Sequence, residues 1–162
     1  QLSGLLMGKA CAEHHEHWQV NHRAAHGQSD MHFRAIMGGQ SQASWQGHAH
    51  VDEATPHCAI TQMCRQLMTS DQARMHAKPT LTIYCDEVTC THGATSGQLD
   101  EAALFYCQSR GLSLEQAQSL LMMAFINELV LAWNQPWLDS LVREYLDQDV
   151  TCITEVVDEC VA

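Results

Sequence analysis

Two side chains near the middle of the chain, Cys90 and His92, are spaced to act together. They alternate about Thr91, so on an extended segment both point to the same side. A soft thiolate beside an imidazole can ligate iron, zinc or copper. The same pair can also form a nucleophile, the imidazole lowering the thiol pKa. The cysteine-protease form of that chemistry is poorly supported, because no orienting Asn or Asp is placed and no oxyanion turn is recognisable. On spacing alone the plainer role is favoured, in which Cys90 packs inward and His92 caps a following helix. A second group is Gly47-His48-Ala49-His50-Val51-Asp52-Glu53, with His57 beyond it. A third, His14, His15, Glu16, His17 and His22, is dense but lacks a fixed coordination spacing and reads as a solvated face.

The second group is similar to the metal motif of cupin barrels, in which two histidines two apart on a strand are followed by a glutamate. The likeness is incomplete: Glu53 follows His50 one residue too soon, and no second half-motif follows. It gives the alternative reading of the chain, a β-barrel metal-binding protein or metalloenzyme using His48, His50, His57 and Glu53. No phosphate loop is present, since Gly38-Gly39 and Gly93–Gly97 lack the Lys-Ser/Thr ending. The chain is therefore not expected to hydrolyse nucleotide itself.

The elements that must position these groups change character near residue 97. Before it, short apolar or alternating runs are separated by turn residues: Gly4–Met7, Trp18–His22, Met31–Ile36, Ala43–Gly47, His48–Val51, Ala59–Met63, Ala73–Met75 and Leu81–Tyr84. This predicts an all-β unit, a barrel or sandwich or else a solenoid of short stacked strands. Polar residues between the apolar ones favour the solenoid, although no strict repeat period is visible. After residue 97 the period becomes helical. Leu99, Ala102, Ala103, Phe105 and Tyr106 share one face of a first helix that Gly111 would terminate. Ser113 to Gln116 reads as a capping box opening a second helix, with Ala117, Leu120, Leu121, Ala124, Phe125 and Leu129 inward. Pro136 suits the first turn of a third, carrying Leu138, Leu141, Val142, Tyr145 and Leu146. Val150, Ile153, Val156, Val157 and Val161 would line a short closing helix or strand. Two units are thus expected, β structure over 1–97 and helices over 98–162.

Charge and composition agree with the division. All eleven histidines lie at or before His92, whereas 97–162 carries eleven acidic residues against Arg110 and Arg143 alone. The net charge of −11 argues against a nucleic-acid backbone and an anionic membrane surface as partners. No apolar run approaches a membrane span, and no signal-peptide pattern is visible. The eight cysteines form no CxxC pair and no compact framework, which reads as buried free thiols in a reducing compartment. The chain opens on Gln1 in mid-pattern, as expected of a piece of a longer protein.

One stretch adds a more specific signal. Lys78-Pro79, Leu81, Ile83-Tyr84, Val88, Cys90, His92-Gly93-Ala94-Thr95, Gly97, Leu99-Asp100-Glu101, Leu104-Phe105-Tyr106 and Ser109-Arg110-Gly111 match a continuous pattern. By these residues the chain resembles the SufB/SufD family of iron–sulfur cluster assembly proteins, nearer its SufD members. Weaker likeness runs through Ala43–Gly47, Gln66–Ser70 and Glu115–Phe125. The chain departs from the family at Cys64, His76 and Cys85, where acidic residues or Asn are usual.

The resemblance implies a right-handed parallel β-helix followed by a small helical domain. It implies a non-catalytic scaffold subunit that pairs with a SufB-type scaffold through the β-helix and docks a SufC-type ATPase through its C-terminal helices. An iron–sulfur cluster would form transiently at the subunit interface, with none tightly bound in the isolated chain. His92, with Cys90 beside it, matches the histidine implicated at that interface. Leu112, Leu120, Met122, Phe125 and Trp133 become candidates for the ATPase-docking region. The compartment implied is a bacterial cytoplasm first and a plastid-type organelle second. A β-helix with an open end is also expected to be covered by a partner, a cap or self-association.

Overall fold

The computed structural model describes residues 1–133, 135–147 and 152–158. Seven strands come first: β1 (Leu2–Gly8), β2 (Glu13–His22), β3 (Gln28–Met37), β4 (Gln42–Val51), β5 (Cys58–Met68), β6 (Arg74–Ile83) and β7 (Val88–Gln98). Three helices follow, α1 (Glu101–Ser109), α2 (Leu114–Trp133) and α3 (Pro136–Asp147), and then β8 (Cys152–Asp158). Odd and even strands part into two sheets, ordered β7-β5-β3-β1-β8 and β2-β4-β6. Within each, β1 to β7 pair in parallel. The chain is therefore a parallel β-helix of about 3 turns with helices at its C-terminal end, and the barrel alternative does not describe it.

Each coil adds one strand to each sheet and returns after roughly 30 residues, within the span usual for solenoid repeats. Leu2 lies beside Met31, Gln28 beside Ala59, and Cys58 beside Val88. The offset differs a little from coil to coil, which is why no strict period shows in the sequence. Two expected breaks are absent. Ala43–Gly47 and His48–Val51 are one strand, β4, and Arg74 and Met75 run on to Leu81 within β6, with Ala73 just before it. Gly47 is not a turn. It lies opposite Trp18 and Pro79 in the second sheet, and a Cβ there would overlap the Trp45 indole. Pro79, which cannot donate to a ladder, sits on the edge strand β6.

The lumen is filled by the alternate residues facing it. Trp18, Phe33 and Trp45 meet there, Trp18 edge-on to both others at 5.3 and 5.8 Å and Phe33 stacked on Trp45 at 5.8 Å. Such pairs add about 0.5–1.5 kcal/mol each beyond their burial. Gly4 and Gly47 supply the notches in which the indoles lie. The two sheets differ outside. The even sheet shows water a polar face, with His15, His17, His48, His50 and His76 on its outward rows. The odd sheet carries an apolar patch outside as well: Leu5, Met7, Ile36 and Leu67 point outward and pack with Ile126, Leu129, Val130, Trp133, Val142 and Tyr145 of α2 and α3.

The helix stops and the start of α2 carry the expected local signals, but α1 opens at Glu101, so Gln98 belongs to β7 and Asp100 lies before the first turn. Asp100 caps α1 through a bond from the Ala102 N–H. Gly111, at φ +96, follows the Arg110 C-cap; the Gly111 and Leu112 N–H groups donate to Gln108 and Cys107, the pairing of a Schellman stop. Ser113 and Gln116 bond reciprocally at 2.9 and 3.2 Å. The inward faces were read less well. Phe105 and Tyr106 are 74% and 59% exposed, and Leu120 is exposed, whereas Ile126 and Val130 are buried. Helix α2 is apolar around most of its circumference, so periodicity could not single out the buried side. Val150 and Val161, and the side chains of Leu138 and Leu146, lie outside the described residues.

A charged clasp holds α2 to the sheet. Arg34, buried on the outward row of β3, donates to the Phe125 carbonyl and to Glu128, and Arg65 approaches the same carboxylate at 3.9 Å. The hydrogen bond and charge of Arg34 hold the Glu128 carboxyl below its usual range.

Two outcomes are expected. Gly47→Ala should destabilise the coil by about 2 kcal/mol, the cost of overpacking a close-fitted core, read from chemical denaturation. A carboxylate with a depressed folded pKa gives stability above its unfolded pKa and loses it as pH falls through the folded one. Protection of the α2 amides relative to their intrinsic exchange at each pH should therefore fall as pH drops through and below the carboxylate range, and Glu128→Gln should show the lowered protection already at neutral pH. Unchanged α2 protection in that variant would remove the clasp.

Candidate functional site

The site is built at one end of the β-helix. On β7, the row shared by Val88, Cys90, His92 and Ala94 continues the lumen-facing row of β5, with Cys58 beside Val88, Ile60 beside Cys90, Gln62 beside His92 and Cys64 beside Ala94. Cys90 and Val88 pack against the lumen core. His92 is two residues further along the same face and exposed. The expected shared face of Cys90 and His92 is present, and the reason is the strand itself. The helix-capping role considered for His92 is not: β7 runs on to Gln98, and Asp100 is the cap.

Strand β7 ends its sheet and β6 ends the other. Among the described residues no strand pairs with their outer edges, so this end of the coil presents unpaired N–H and C=O groups beside Cys90 and His92. At the opposite end the cover is partial. β8 pairs antiparallel along the whole of β1, from Leu2 beside Asp158 to Gly8 beside Cys152.

The lumen changes chemically along the axis. On β3 its row is Met31, Phe33, Ala35 and Met37; on β5 it is Cys58, Ile60, Gln62, Cys64 and Gln66; on β7 it is Cys90, His92, Ala94 and Ser96. Along the odd sheet, soft and polar groups thus concentrate toward the open end. Two of the thiols there are held toward the protonated form. Burial pushes Cys64 up to about 12, slightly offset by a bond from Gln66. Burial, and then the neighbouring Cys58, push Cys90 up as well. A pair in which the imidazole lowers the Cys90 pKa is therefore not what forms. A metal would have to displace the thiol proton, as thiolate ligation always requires.

The other candidates are placed apart. His48 and His50 lie on the outward face of β4, their rings 6.4 Å apart at their centroids. Each already has a partner: Thr82 at 2.9 Å for His48 and Asp52 at 2.9 Å for His50. His57 is in the turn before β5, at φ +62, beside His26 at 5.0 Å and Glu87 at 3.6 Å. Among the described residues no three His, Cys, Asp or Glu side chains are grouped to hold a metal. The His48, His50, His57 and Glu53 set is therefore not assembled, because alternate strand residues face outward while His57 sits on a corner.

Of the residues considered for docking, Leu120 is exposed and Leu112, Met122 and Phe125 are half-buried, whereas Trp133 is buried in the core between α2 and the odd sheet. Phe105 and Tyr106 on α1 and Leu114 and Leu131 on α2 are further exposed apolar side chains. Gln62 and Cys58 were not singled out from sequence. Only their register, one coil before His92 and Val88, brings them to the site.

Residues 1–125 match the family described as SUF system FeS cluster assembly, SufBD core domain. An iron–sulfur cluster assembly SufBD family protein of Synechocystis is 35% identical over 150 residues, which cover 93% of this chain and 32% of that protein. The SufD iron–sulfur cluster assembly protein of Escherichia coli is 38% identical over 82 residues, 51% of this chain and 19% of that one. A chloroplastic protein of Arabidopsis thaliana, ABCI7, is 33% identical over 100 residues, 62% of this chain and 21% of it. The chain thus spans a third or less of the length of these relatives. No described helix is long and apolar enough to cross a membrane. The family match covers every coil of the β-helix and both Cys90 and His92: the chain belongs to the SufBD family of iron–sulfur cluster assembly proteins.

Proposed function

We propose that the chain is the C-terminal portion of a non-catalytic scaffold subunit, on whose open β-helix end an iron–sulfur cluster is assembled as cargo. The observation that carries this is the Cys90–His92 row, which stands on an unpaired edge strand where the lumen ends. An edge of this kind pairs readily with another strand. A SufB-type scaffold whose own coil ends in the same way would extend both sheets and enclose Cys90 and His92 between the two subunits. Imidazole and thiolate are the ligand types that iron in such a site takes. The chain's own part is to hold those two side chains on one face at a fixed separation, and to release the Cys90 proton when metal arrives.

The helical end supplies the second contact, to a SufC-type ATPase. Helix α2 uses one side to cover the odd sheet and leaves Leu120 and its apolar neighbours uncovered. Movement of an ATPase bound there would reach the coil through the Arg34–Glu128 clasp. The compartment that suits this work is a bacterial cytoplasm or a plastid.

Removing 112–162 is a poor test of docking, because it would strip Leu5, Met7, Ile36 and Leu67 of their cover. Leu120→Asp in the full-length protein changes only exposed surface. It should abolish co-purification of the SufC-type ATPase while leaving the melting temperature unchanged; retained co-purification would exclude Leu120 from the docking face. In the assembled complex, His92→Ala should reduce cluster maturation to near background with the fold intact by circular dichroism. Maturation at the wild-type rate would leave His92 without a functional role.

A further inference from the structure

The groups at the open end include one that the site has not used. Gln62 is completely buried, on the lumen row of β5, in register with His92 on β7. Its amide N–H reaches across the lumen toward the Thr80 carbonyl of β6, at a long 3.4 Å. Its amide oxygen has no hydrogen-bond partner among the described residues. A buried acceptor left without a donor costs about 1–3 kcal/mol, and most buried polar groups are paired for that reason. The positions around it are Ile60, Cys64 and Met31, which offer that oxygen nothing better. The side chain stacked directly on it toward the open end is His92, for which no hydrogen bond is made among the described residues. An unpaired buried acceptor and an unpaired ring that can donate therefore occupy adjacent positions of one ladder.

We propose that Gln62 is a positioning residue for His92: its amide oxygen accepts one ring N–H of His92 and so fixes the tautomer. The other ring nitrogen is then left with its lone pair toward the open end. A neutral imidazole binds a metal through one nitrogen, and the partner of the other nitrogen sets ring orientation and ligand basicity. The amide suits this place better than a carboxylate would. It accepts a hydrogen bond without bringing an uncompensated charge into an apolar lumen. The proposal deepens the cluster-assembly reading above and rests on it for the identity of the ligand, though not for the hydrogen bond.

Gln62→Leu removes the acceptor and keeps roughly the volume. Gln62→Glu restores an acceptor oxygen. The full-length protein, labelled with nitrogen-15 histidine, is compared in the three forms. The His92 signals are assigned by their loss in His92→Ala, and cluster maturation is measured in the complex with its partner subunits. The expected result is a single His92 tautomer in wild type and Gln62→Glu, and a mixture in Gln62→Leu. Maturation should fall about tenfold in Gln62→Leu, the usual scale for losing such an outer partner, with substantial recovery in Gln62→Glu. Thermal stability of Gln62→Leu should change little, since His92 is exposed and its freed ring N–H can turn to water. A purely structural Gln62 would give the reverse, lower stability with an unchanged tautomer. An unchanged tautomer in Gln62→Leu overturns the proposal. If instead His92→Ala matures clusters normally while the tautomer responds to Gln62, the hydrogen bond stands and it is the assembly role of His92 that fails.

Discussion

The constraint on which the rest of this molecule depends is the register of one coil upon the next. In a parallel stack with a two-residue side-chain period, a slip of one position would move every lumen residue to the outside. The lumen resists that slip through shape. Trp18, Phe33 and Trp45 interlock, and the indoles are accommodated only because Gly4 and Gly47 have no side chain. A slip would set a Cβ against a ring and bring outward residues such as Arg34 into an apolar interior. Coil length is free to drift, since the corners absorb it, but parity is not. That is why Cys90, 45 residues beyond Trp45, the nearest aromatic of this cluster along the chain, still faces the lumen.

Register also determines what the site can be. The lumen passes from aromatic and aliphatic in the second coil to cysteine, glutamine and histidine at the end. An apolar stack would be more stable and would need no polar partners. The polar groups at the end instead carry raised thiol pKa values and an unpaired amide oxygen. Local departures from good packing of this kind are expected where a chain gives up some stability for function. Their position at an unpaired pair of strand edges is consistent with a site completed by a second subunit.

Part of this was legible in the residues. The stop of α1 and the start of α2 were, because their signals are local: Gly111, Ser113 and Gln116 each act within a few residues of themselves. The shared face of Cys90 and His92 was legible for the same reason. Strand lengths were not, since Gly47 looks like a turn until Trp45 is placed over it. The solenoid was favoured by composition, but its period was hidden by the drift between Leu2–Met31 and Gln28–Ala59. The neighbours of the site, Gln62 and Cys58, were invisible. No local rule links a glutamine to a histidine one coil later; only the stacking does. The histidines at His48, His50 and His57 misled for the complementary reason. They are close in sequence, but a strand face and a corner separate them.

Helix α2 shows how the two ends of the molecule are joined. A helix apolar around most of its circumference is not stable alone in water and is favoured where more than one face is covered. The odd sheet covers one side with Leu5, Met7, Ile36 and Leu67, and Arg34 fixes the position through Glu128. Arg34 stands on β3 between Phe33 and Ala35, which face the lumen, and β5 beside it carries Arg65 between Cys64 and Gln66. The strands that hold the helix outside are thus the same strands that line the chamber inside. A displacement of α2 would act on one face of β3 and β5, and the lumen rows on their other face would have to follow. The double-sided burial of β1, β3 and the end of β5, which the even sheet lacks, is what ties the helices to the strands that line the lumen.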